Sequence, residues 1–539
     1  MAKLFLLGNE ACALGAIDAG CTFAFGYPGT PSTEIMEYLL RYREDHPDIT
    51  ARWCTNEKTA FEGAMGVSYA GRRALVVMKH VGLNVAADAF INAVLQKING
   101  GLVVVVADDP GMHSSQNEQD TRFLADFAKT VCFEPGSQQE TYTMMREAFS
   151  VSGKFGIAVV LRMVTRLSHA RAVVIRGGAE RASEKPCPAR DRGEWICLPS
   201  FARLNYRRLL DRQQQFREYT CRSSCNQLAL NPSFKSFGVI TAGIAGGYYR
   251  ETAESLPVQP SHLHVGVYPF PGELVRQLAD SVDTVIVIEE GYPFIEEKIR
   301  SAVRDPLVIR GKMDGSFPDQ GELHPDHIRN ALALPYAGKT TGHTSEPLPA
   351  RFSRLCKGCP HNDSFEVLRG ALKIFEDTIV TSDIGCYTLG ALPPYDLIDC
   401  ALCMGASIGM ARGAAEAGCA NVVALIGDSS LLHSGIPGII DAVAADTPMT
   451  VLVLDNGTVA MTGGQDPVLP SARLLPLLEG IGVRREHCRT IVPLPANFEK
   501  NVAILREEMS YRGLSVILAR RSCVRRRKAG SDGVVGHDD

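Results

Sequence analysis

Two polar clusters in the C-terminal third of the chain follow apolar runs of the kind that form buried strands. The run at 422–426 is followed by Asp428, and the run at 449–454 is followed by Asn456 and Thr458. The carboxyl ends of parallel strands meet at one edge of a doubly wound sheet, so these side chains are expected to lie close together. Carboxylate, amide and phosphate oxygens are typical ligands of Mg²⁺. The spacing therefore fits a metal–diphosphate site, and it also fits an ordinary strand–helix–strand unit with polar loops.

Glu57 is a second residue whose type and place could do chemistry. It follows an extended stretch at 49–54 and opens a segment at 57–71 whose glycines and alanines permit close packing against a sheet or a flat ligand. The Gly-Asp-Ser sequence at 427–429 is typical of thiamine diphosphate enzymes, which need a buried carboxylate to exchange a proton with the pyrimidine ring. Such acid–base work contributes roughly 10²–10⁴ in rate. The alternative is a solvated glutamate at a helix start, where the helix dipole favours it.

Three stretches of the chain alternate apolar strands with helical segments, the pattern of parallel sheets covered by helices. They are residues 1–175, 236–335 and 351–523. The segment 176–235 is Arg-rich and weakly periodic, and we expect a linker with one helix near 201–218. Residues 337–350 form a second linker, and the basic, then Gly/Asp-rich tail at 524–539 is predicted to be disordered. The pattern predicts an α/β protein of three doubly wound parallel-sheet domains.

Bulk composition excludes several classes of function. The 539 residues are 45% hydrophobic and 22% charged, as in a globular protein, and the formal charge of −4 gives no general drive toward nucleic acid. No apolar run reaches the roughly 18 residues of a membrane span, and Gly8 to Glu10 interrupt the first one, so we expect no membrane association and a cytoplasmic protein. Sixteen cysteines without a secretion signal favour thiols or metal ligands over disulfides.

Nine segments in consistent order carry a family resemblance. They are YPGTPSTE (27–34), NEKTAFEGAMGVSYAGRRALVVMKHVGLNVAAD (56–88), GVITAGIAGGYYRE (238–251), VIVIEEGYPFIEEKIR (285–300), CKGCPH (356–361), SDIGCYTLGALPP (382–394), CMGASIGMARG (403–413), GDSSLLHSGIPG (427–438) and LDNGTVAMTGGQ (454–465). Together they resemble the large (α) subunit of indolepyruvate:ferredoxin oxidoreductase, a thiamine diphosphate enzyme. The resemblance runs from residue 4 to about 523. It implies a pyrimidine-binding domain at 1–175, a transketolase C-terminal-like domain at 236–335 and a diphosphate-binding domain at 351–523.

The same resemblance implies roles for individual residues. Glu57 would serve the pyrimidine ring, and Asp428, Asn456 and the Thr458 carbonyl would hold Mg²⁺ with the diphosphate. The cofactor-binding candidates are Glu57, Gly385, Met404, Gly405, Gly427, Asp428, Ser429, Asn456 and Thr458. Met404 would lie under the cofactor rings, with ordinary core packing as its alternative.

Three further residues are candidates near the substrate. Thr30 lies in the loop that contacts the substrate carboxylate in related enzymes, and its alternative is a simple turn residue. His433 and His361 fall within shared motifs. Each could donate a hydrogen bond to a phosphate or to a substrate carbonyl, and each could equally be a structural histidine.

Four cysteines match the ligand set of related 2-oxoacid oxidoreductases. They are Cys356, Cys359, Cys386 and Cys523. By the resemblance they hold one 4Fe–4S cluster; structural Zn²⁺ and free buried thiols are the alternatives. Cys400 and Cys403 repeat the local spacing, as Cys221 and Cys225 nearly do, but neither pair is assigned to metal.

The end of the chain departs from the family pattern. The large subunit usually continues into a ferredoxin-like domain with two further cysteine-rich runs, and these are not in this sequence, so we expect at most one cluster. The basic run from Arg525 to Lys528 could dock an acidic electron carrier, and the alternative is a solvated tail.

The predicted reaction is oxidative decarboxylation of an arylpyruvate to an aryl-acetyl-CoA, with electrons leaving through the cluster to ferredoxin. Met461 stands where pyruvate-specific relatives carry an asparagine, which suits an aryl group. Asp108 and Asp109 occupy a loop where an arginine assists pyruvate-type enzymes. Coenzyme A would be a co-substrate handled with a smaller β- or γ-type subunit, in a homodimer or heterotetramer. The alternatives are a non-oxidative decarboxylase or carboligase, and a non-catalytic scaffold subunit.

Overall fold

The computed structural model describes residues 2–180, 192–303, 307–334 and 354–526. The chain divides into two compact units, Met1–His343 and Thr344–Asp539, and each is described by itself. The linker predicted at 337–350 and the tail from residue 527 lie outside the described residues. Both units are built from parallel sheets with helices on their faces, so the predicted α/β class is confirmed.

The first unit contains fourteen strands and thirteen helices among the described residues. The strands are β1 (Lys3–Leu7), β2 (Phe23–Gly26), β3 (Thr50–Trp53), β4 (Ala74–Lys79), β5 (Leu102–Asp108), β6 (Cys132–Phe133), β7 (Ala158–Val164), β8 (Arg171–Ile175), β9 (Gln227–Ala229), β10 (Gly238–Ala242), β11 (Ser261–Val265), β12 (Val267–Tyr268), β13 (Thr284–Ile288) and β14 (Val308–Arg310). The helices are α1 (Gly8–Asp18), α2 (Thr33–Asp45), α3 (Glu57–Tyr69), α4 (His80–Ala93), α5 (Thr121–Phe127), α6 (Gln138–Phe155), α7 (Thr165–His169), α8 (Arg192–Trp195), α9 (Pro199–Arg222), α10 (Ala245–Ala253), α11 (Gly272–Ala279), α12 (Phe294–Ala302) and α13 (Pro325–Ala331).

Two large sheets form this unit. The first has the order β12-β6-β7-β5-β4-β2-β3 and is parallel except for β12. Its central strands β4, β5 and β7 are buried at every residue, which explains their largely apolar sequences. The second sheet has the order β14-β13-β10-β11-β9, with only β9 antiparallel.

The two sheets of the first unit are joined by hydrogen bonds and by a shared core. Strand β12, which directly follows β11 of the second sheet, pairs with β6 of the first: Val267 lies opposite Phe133. One hydrophobic cluster contains residues of both sheets, among them Val104 and Ile240. The predicted separation of 1–175 from 236–335 stays a prediction about sequence segments, because the structure packs the two into one compact unit.

A buried charge network lies within this unit. The guanidinium of Arg162, on β7, has no exposed surface; its Nε donates to Asp108 at 2.6 Å and its Nη1 to Glu134. Tyr268 donates its hydroxyl hydrogen to the other oxygen of Glu134. A charge without water must be paired by protein groups, so these residues fix the ends of β5, β6, β7 and β12 relative to one another.

A second buried arginine extends the network. Arg122 Nε donates to Asp120 at 2.9 Å, and Nη1 donates to Glu289 at 2.8 Å. The Tyr292 amide also donates to Asp120, at 3.0 Å. Burial opposes ionisation of Asp120, but Arg122 and Arg162 lower its pKa to about 2. Four carboxylates and two arginines thereby connect the first sheet with the segment after β13.

The second unit is a single parallel sheet of order β16-β15-β17-β18-β20-β19. Its strands are β15 (Thr378–Ser382), β16 (Cys400–Ala401), β17 (Asn421–Gly427), β18 (Met449–Asp455), β19 (Cys488–Ile491) and β20 (Leu514–Arg520). Its helices are α14 (Pro360–Leu372), α15 (Ala406–Glu416), α16 (Asp428–Ser430), α17 (Ile436–Ala444), α18 (Leu474–Gly480) and α19 (Phe498–Ser510). Alternate residues of β17 enter two different cores, Ala424 on one face and Leu425 on the other.

Within the described residues, no helix combines the length and the apolar content that crossing a bilayer requires.

We predict that Arg162→Met lowers the free energy of unfolding of the first unit by about 3–5 kcal/mol, because Asp108 and Glu134 would stay buried without their cation. Both tryptophans of the chain, Trp53 and Trp195, belong to this unit, so tryptophan fluorescence during urea unfolding reports on it alone.

Lys298→Met is the matched control. Lys298 pairs with Asp126 at 2.6 Å on the surface of the same unit, where an ion pair contributes about 1 kcal/mol at most. Equal losses in the two variants would contradict a structural role for the buried network.

Candidate functional site

Asp428 lies at the carboxyl end of β17 and connects two strands. Its side chain is 4% exposed; Oδ2 accepts the Gly457 amide at 2.9 Å and Oδ1 accepts the Ser429 amide at 2.7 Å. Burial, together with the carboxylate of Asp455, raises the pKa of Asp428 to about 7. Asp455 is neutralised by Arg520 at 2.8 Å, whereas Asp428 forms no salt bridge within the described residues. A cation beside Asp428 would therefore be strongly favoured.

Asn456 and Thr458 follow the neighbouring strand β18. Asn456 Oδ1 accepts the Thr458 amide at 3.0 Å, and the Thr458 hydroxyl donates to the Gln465 carbonyl at 3.0 Å. Strands β17 and β18 are paired in parallel, so the predicted adjacency of Asp428 and Asn456 follows from the register. The hydroxyl of Ser429 is buried beside the Asp428 carboxylate. One carboxylate, one amide and one hydroxyl fit Mg²⁺ and a phosphate group.

His361 supports the amide of Asn456. Its Nε2 lies 3.4 Å from Asn456 Nδ2, and the ring is buried against Tyr387. Burial lowers the pKa of His361 to about 4, which leaves a neutral ring that can accept a hydrogen bond. His361 thus contacts the side-chain amide of Asn456 and acts as a positioning residue for it.

Asp383, which the sequence analysis did not single out, organises the same edge. It follows β15 and is completely buried; one oxygen accepts the Gly405 amide at 2.6 Å and the other accepts the Tyr387 hydroxyl. That hydroxyl also contacts Ser430 at 3.0 Å. Burial raises the pKa of Asp383 to about 7. A short strand-like segment at 378–382 that is followed by an aspartate was the signal available in the sequence.

Three of the predicted glycines make close contacts. A Cβ on Gly385 or Gly427 would lie 2.3 Å or 2.6 Å from the Tyr387 ring, so both glycines admit this ring. Gly405 has φ +83°, and a Cβ there would lie 2.6 Å from the Ser434 carbonyl carbon. Glycine therefore lets the turn before α15 approach the segment that carries His433.

His433 and Met404 lie on the two sides of that approach. His433 is buried in a π-helical turn, Leu431–Gly435, and its Nδ1 lies 2.7 Å from the Ser434 hydroxyl. Such turns are frequent at functional sites. Met404 is only half-buried and belongs to none of the hydrophobic clusters among the described residues, which argues against simple core packing.

The four predicted cluster cysteines lie in the second unit and influence one another. The Cys359 amide donates to the Cys356 carbonyl at 3.0 Å, and the Cys523 amide donates to the Asn456 carbonyl at 3.0 Å. Burial, together with Cys359, Cys523 and Cys356, raises the pKa of Cys386 to about 11. The sulfurs are thus close enough to interact. Nonetheless, in the described ranges no group of three or more His, Cys, Asp or Glu side chains is arranged as a metal site.

The cysteine pairs not assigned to metal differ in environment. Cys400 and Cys403 are exposed, while Cys225 lies in the first unit and contacts Glu147.

Glu57 lies at the carboxyl edge of the first sheet, as the first residue of α3. Its side chain is 6% exposed, so it is not the solvated helix-start residue of the alternative interpretation. Asn56 caps the helix by accepting the Thr59 amide at 2.9 Å. A Cβ on Gly82 of α4 would lie 2.5 Å from Glu57 Oε1. Gly82, which the sequence analysis passed over, thus provides the space for the carboxylate.

Thr30 lies in the loop after β2, at the edge that also carries Glu57. It is half-buried, and its carbonyl accepts the Ser114 hydroxyl at 3.2 Å. Asp108 is paired with Arg162, and Asp109 accepts the Ser114 amide at 2.8 Å. The two acidic residues are therefore engaged within the protein.

Two family models and several known proteins match this chain. Residues 14–192 match the family model for pyruvate flavodoxin/ferredoxin oxidoreductase, thiamine diphosphate-binding, and residues 383–475 match the thiamine pyrophosphate enzyme C-terminal TPP-binding domain. The chain resembles 2-oxoglutarate:ferredoxin oxidoreductase from Magnetococcus marinus at a TM-score of 0.53 and 17% identity, over 61% of this chain and 65% of that one. At that identity the likeness concerns the fold alone.

Relatives of known name are closer in sequence. Indolepyruvate oxidoreductase subunit IorA of Archaeoglobus fulgidus is 36% identical over 97% of this chain and 86% of its own length. The subunit of the same name from Methanothermobacter thermautotrophicus is 36% identical, over 97% of this chain and 87% of its own length.

The fold and the two edges define a thiamine diphosphate-dependent 2-oxoacid oxidoreductase. Within that class, the chain belongs to the IorA family of indolepyruvate oxidoreductase subunits.

We predict that Gly82→Ala destabilises the first unit by about 1–3 kcal/mol, because the added methyl group overlaps the Glu57 carboxylate. Gly66→Ala, in the interior of α3, meets no atom within 4 Å and should stabilise the unit by about 0.5–1 kcal/mol. Urea unfolding followed by tryptophan fluorescence measures both changes. A stabilising effect of Gly82→Ala would show that Glu57 does not occupy the described position.

Proposed function

We propose that the protein catalyses thiamine diphosphate-dependent oxidative decarboxylation of an arylpyruvate, with coenzyme A as acceptor of the acyl group. The observation that carries this proposal is the buried edge of β17 and β18. There a carboxylate that forms no salt bridge among the described residues, an amide and a buried hydroxyl converge. The names of the relatives, indolepyruvate oxidoreductase, support an aryl substrate.

Asp428, Asn456 and the Thr458 carbonyl would hold Mg²⁺ and the cofactor's diphosphate. The Ser429 hydroxyl, buried at the same edge, is suited to donate to a phosphate oxygen. Cation binding would also remove the penalty of burying Asp428, since a nearby positive charge favours its ionised form. His361 would keep the Asn456 amide in place.

Glu57 would exchange a proton with N1′ of the pyrimidine ring. Burial among α3 and α4 excludes water from its carboxylate, which strengthens any hydrogen bond made there. When bound, thiamine diphosphate supplies the nucleophilic carbon for attack on the keto group and accepts the electrons left by departing CO₂. Thr30 and His433 are the proposed substrate contacts from this chain.

The cysteine set is the proposed exit for electrons. Four interacting thiols match the ligand number and softness of one 4Fe–4S cluster. Ferredoxin or another carrier would then accept the electrons, and a smaller subunit would handle coenzyme A. Arg525 and Arg526 could guide such a carrier. The assembly as homodimer or heterotetramer stays a prediction.

Met461 supports an aryl side chain on the substrate. It lies beyond β18 and its surface is 57% exposed. An exposed thioether offers an apolar, adaptable contact for a flat ring and none of the polar contacts that a small substrate would need. Which aryl group is accepted is open to a direct activity comparison.

A non-oxidative thiamine enzyme is the second candidate. The observation that favours it is that the described cysteines are not arranged as a metal site. Such an enzyme would release an aldehyde or join two carbonyl compounds, and it would need no iron.

Glu57→Gln is expected to lower arylpyruvate-dependent viologen reduction by roughly 10²–10⁴, because the amide cannot exchange the proton. Thiamine diphosphate binding, measured by calorimetry with Mg²⁺, should persist in this variant and be lost in Asp428→Ala. Glu62→Gln is the matched control: Glu62 lies on the same helix, is 48% exposed and should keep normal turnover. Full activity of Glu57→Gln, or unchanged cofactor binding by Asp428→Ala, would refute the assigned roles.

Protein purified without oxygen should contain about four iron atoms and matching acid-labile sulfide per chain. Cys523→Ser should lose most of both, because it removes one ligand. Cys400→Ser should keep them, because Cys400 is exposed and outside the interacting set. Wild-type protein without iron that still decarboxylates arylpyruvate would favour the non-oxidative enzyme.

A further inference from the structure

Lys79 is a buried cation that none of the roles above uses. It is the last residue of β4 and is 7% exposed. In the sheet, β4 neighbours β2, and β2 neighbours β3. The three strands therefore end side by side, in Lys79, in the loop that carries Thr30 and in the segment that leads to Glu57.

Lys79 and Glu57 are also connected through one helix. Helix α4 begins at His80, directly after Lys79, and its Gly82 lies against the Glu57 carboxylate. The amino-terminal end of this 14-residue helix carries a partial positive charge that adds to that of the ammonium group. The site of the pyrimidine carboxylate and the buried ammonium are thus held by the same short stretch of chain.

The ammonium group of Lys79 makes few hydrogen bonds within the described residues. Its Nζ donates to the Ser114 carbonyl at 2.8 Å and lies 3.4 Å from the Ser114 hydroxyl. Within the described residues it forms no salt bridge. An ammonium has three hydrogens to donate, and burying it without an anion is costly. Burial lowers the pKa of Lys79 to about 8, although the Asp109 carboxylate opposes this shift.

Asp109 is close but is already occupied by other donors. Its oxygens accept the Ser114 amide at 2.8 Å, the Ser115 hydroxyl at 2.5 Å and the Thr165 hydroxyl at 2.7 Å. These three bonds hold the loop after β5 and keep the carboxylate turned to that loop. The ammonium of Lys79 therefore keeps capacity for a further anion.

Ser114 brings Lys79 next to Thr30. The Ser114 carbonyl accepts from Lys79, and the Ser114 hydroxyl donates to the Thr30 carbonyl at 3.2 Å. A Cβ on Gly29 would lie 3.0 Å from the Lys79 Cβ, so this glycine lets the lysine stem run directly beside the loop. One serine thus connects the cation with the loop proposed to meet the substrate.

We propose that Lys79 binds the carboxylate of the 2-oxo acid substrate, beside Thr30. The inference rests on the proposed function, since an arylpyruvate brings the anion that the buried ammonium lacks. Decarboxylation converts the bound carboxylate into uncharged CO₂. The attraction between this group and the Lys79 ammonium is lost in that step, which would favour release of CO₂ from this position.

Lys79→Met is the first test, in the complete enzyme with cofactor and CoA. It should raise KM for the arylpyruvate about 10- to 100-fold, as loss of a hydrogen bond to a charged group implies, with a smaller effect on kcat. It should leave the thermal midpoint of the cofactor-free protein unchanged or raised, because a buried unpaired charge is removed. Lys79→Arg should restore most of the lost affinity.

Lys312→Met is the matched control. Lys312 is also buried and donates to the Pro318 carbonyl at 2.6 Å, but Glu289 and Glu290 surround it with negative charge. Its removal should lower the thermal midpoint and leave KM unchanged. A purely structural lysine at position 79 would behave in the same way.

Inhibitors separate the charge effect from a change of shape. A 3-arylpropionate should compete with substrate better than its uncharged amide in the wild type, and Lys79→Met should abolish this preference. If Lys79→Met turns over arylpyruvate with unchanged KM and keeps the preference, Lys79 does not bind the carboxylate. If the wild type itself neither turns over nor binds arylpyruvate, the proposed function fails first, and the inference fails with it. If Lys79→Met does not fold, Lys79→Gln answers the same question.

Discussion

The buried charge network of the first unit is the constraint on which the rest of that unit depends. Arg122 and Arg162 have no exposed side-chain surface, and each guanidinium must be paired within the protein. Their partners come from the end of β5, from the start of α5, from the residues after β6 and from the segment after β13. Replacing the whole network by apolar groups could be neutral, but removing one member leaves a buried charge. The network therefore specifies one arrangement of these segments.

One loop connects the buried charge network with the candidate site. Asp108 begins the loop after β5 and Asp120 ends it, and both are held by the two arginines. Between them, Ser114 contacts Lys79 and Thr30. The position of two residues at the carboxyl edge of the sheet is thus fixed by charges that lie inside the unit. In this way the buried charge network determines how accurately Lys79 and Thr30 are positioned at the edge of the sheet.

Local sequence patterns predicted much of this structure, but they did not predict contacts between residues that are distant in the sequence. The helix predicted near 201–218 extends to Pro199–Arg222 in the structure. Asp428 and Asn456 were singled out because each lies just after an apolar run. Periodicity carries no sign of pairings between distant segments, so the antiparallel contact of β12 with β6 was missed. Gly82 was missed for the same reason. A residue without a side chain is required there because of Glu57, which lies on another helix.

The two units share one physical feature at their sheet edges. Among the residues that the structure describes, Asp428 of the second unit is a buried carboxylate with no salt bridge, and Lys79 of the first is a buried ammonium with no salt bridge. Each lowers the stability of the ligand-free protein, because burial disfavours its charged form. Each would regain that free energy from a ligand of opposite charge, a divalent cation in one case and a carboxylate in the other. Lower stability at such positions is a common cost of function, and it explains why neither charge forms a salt bridge within the described part of its unit.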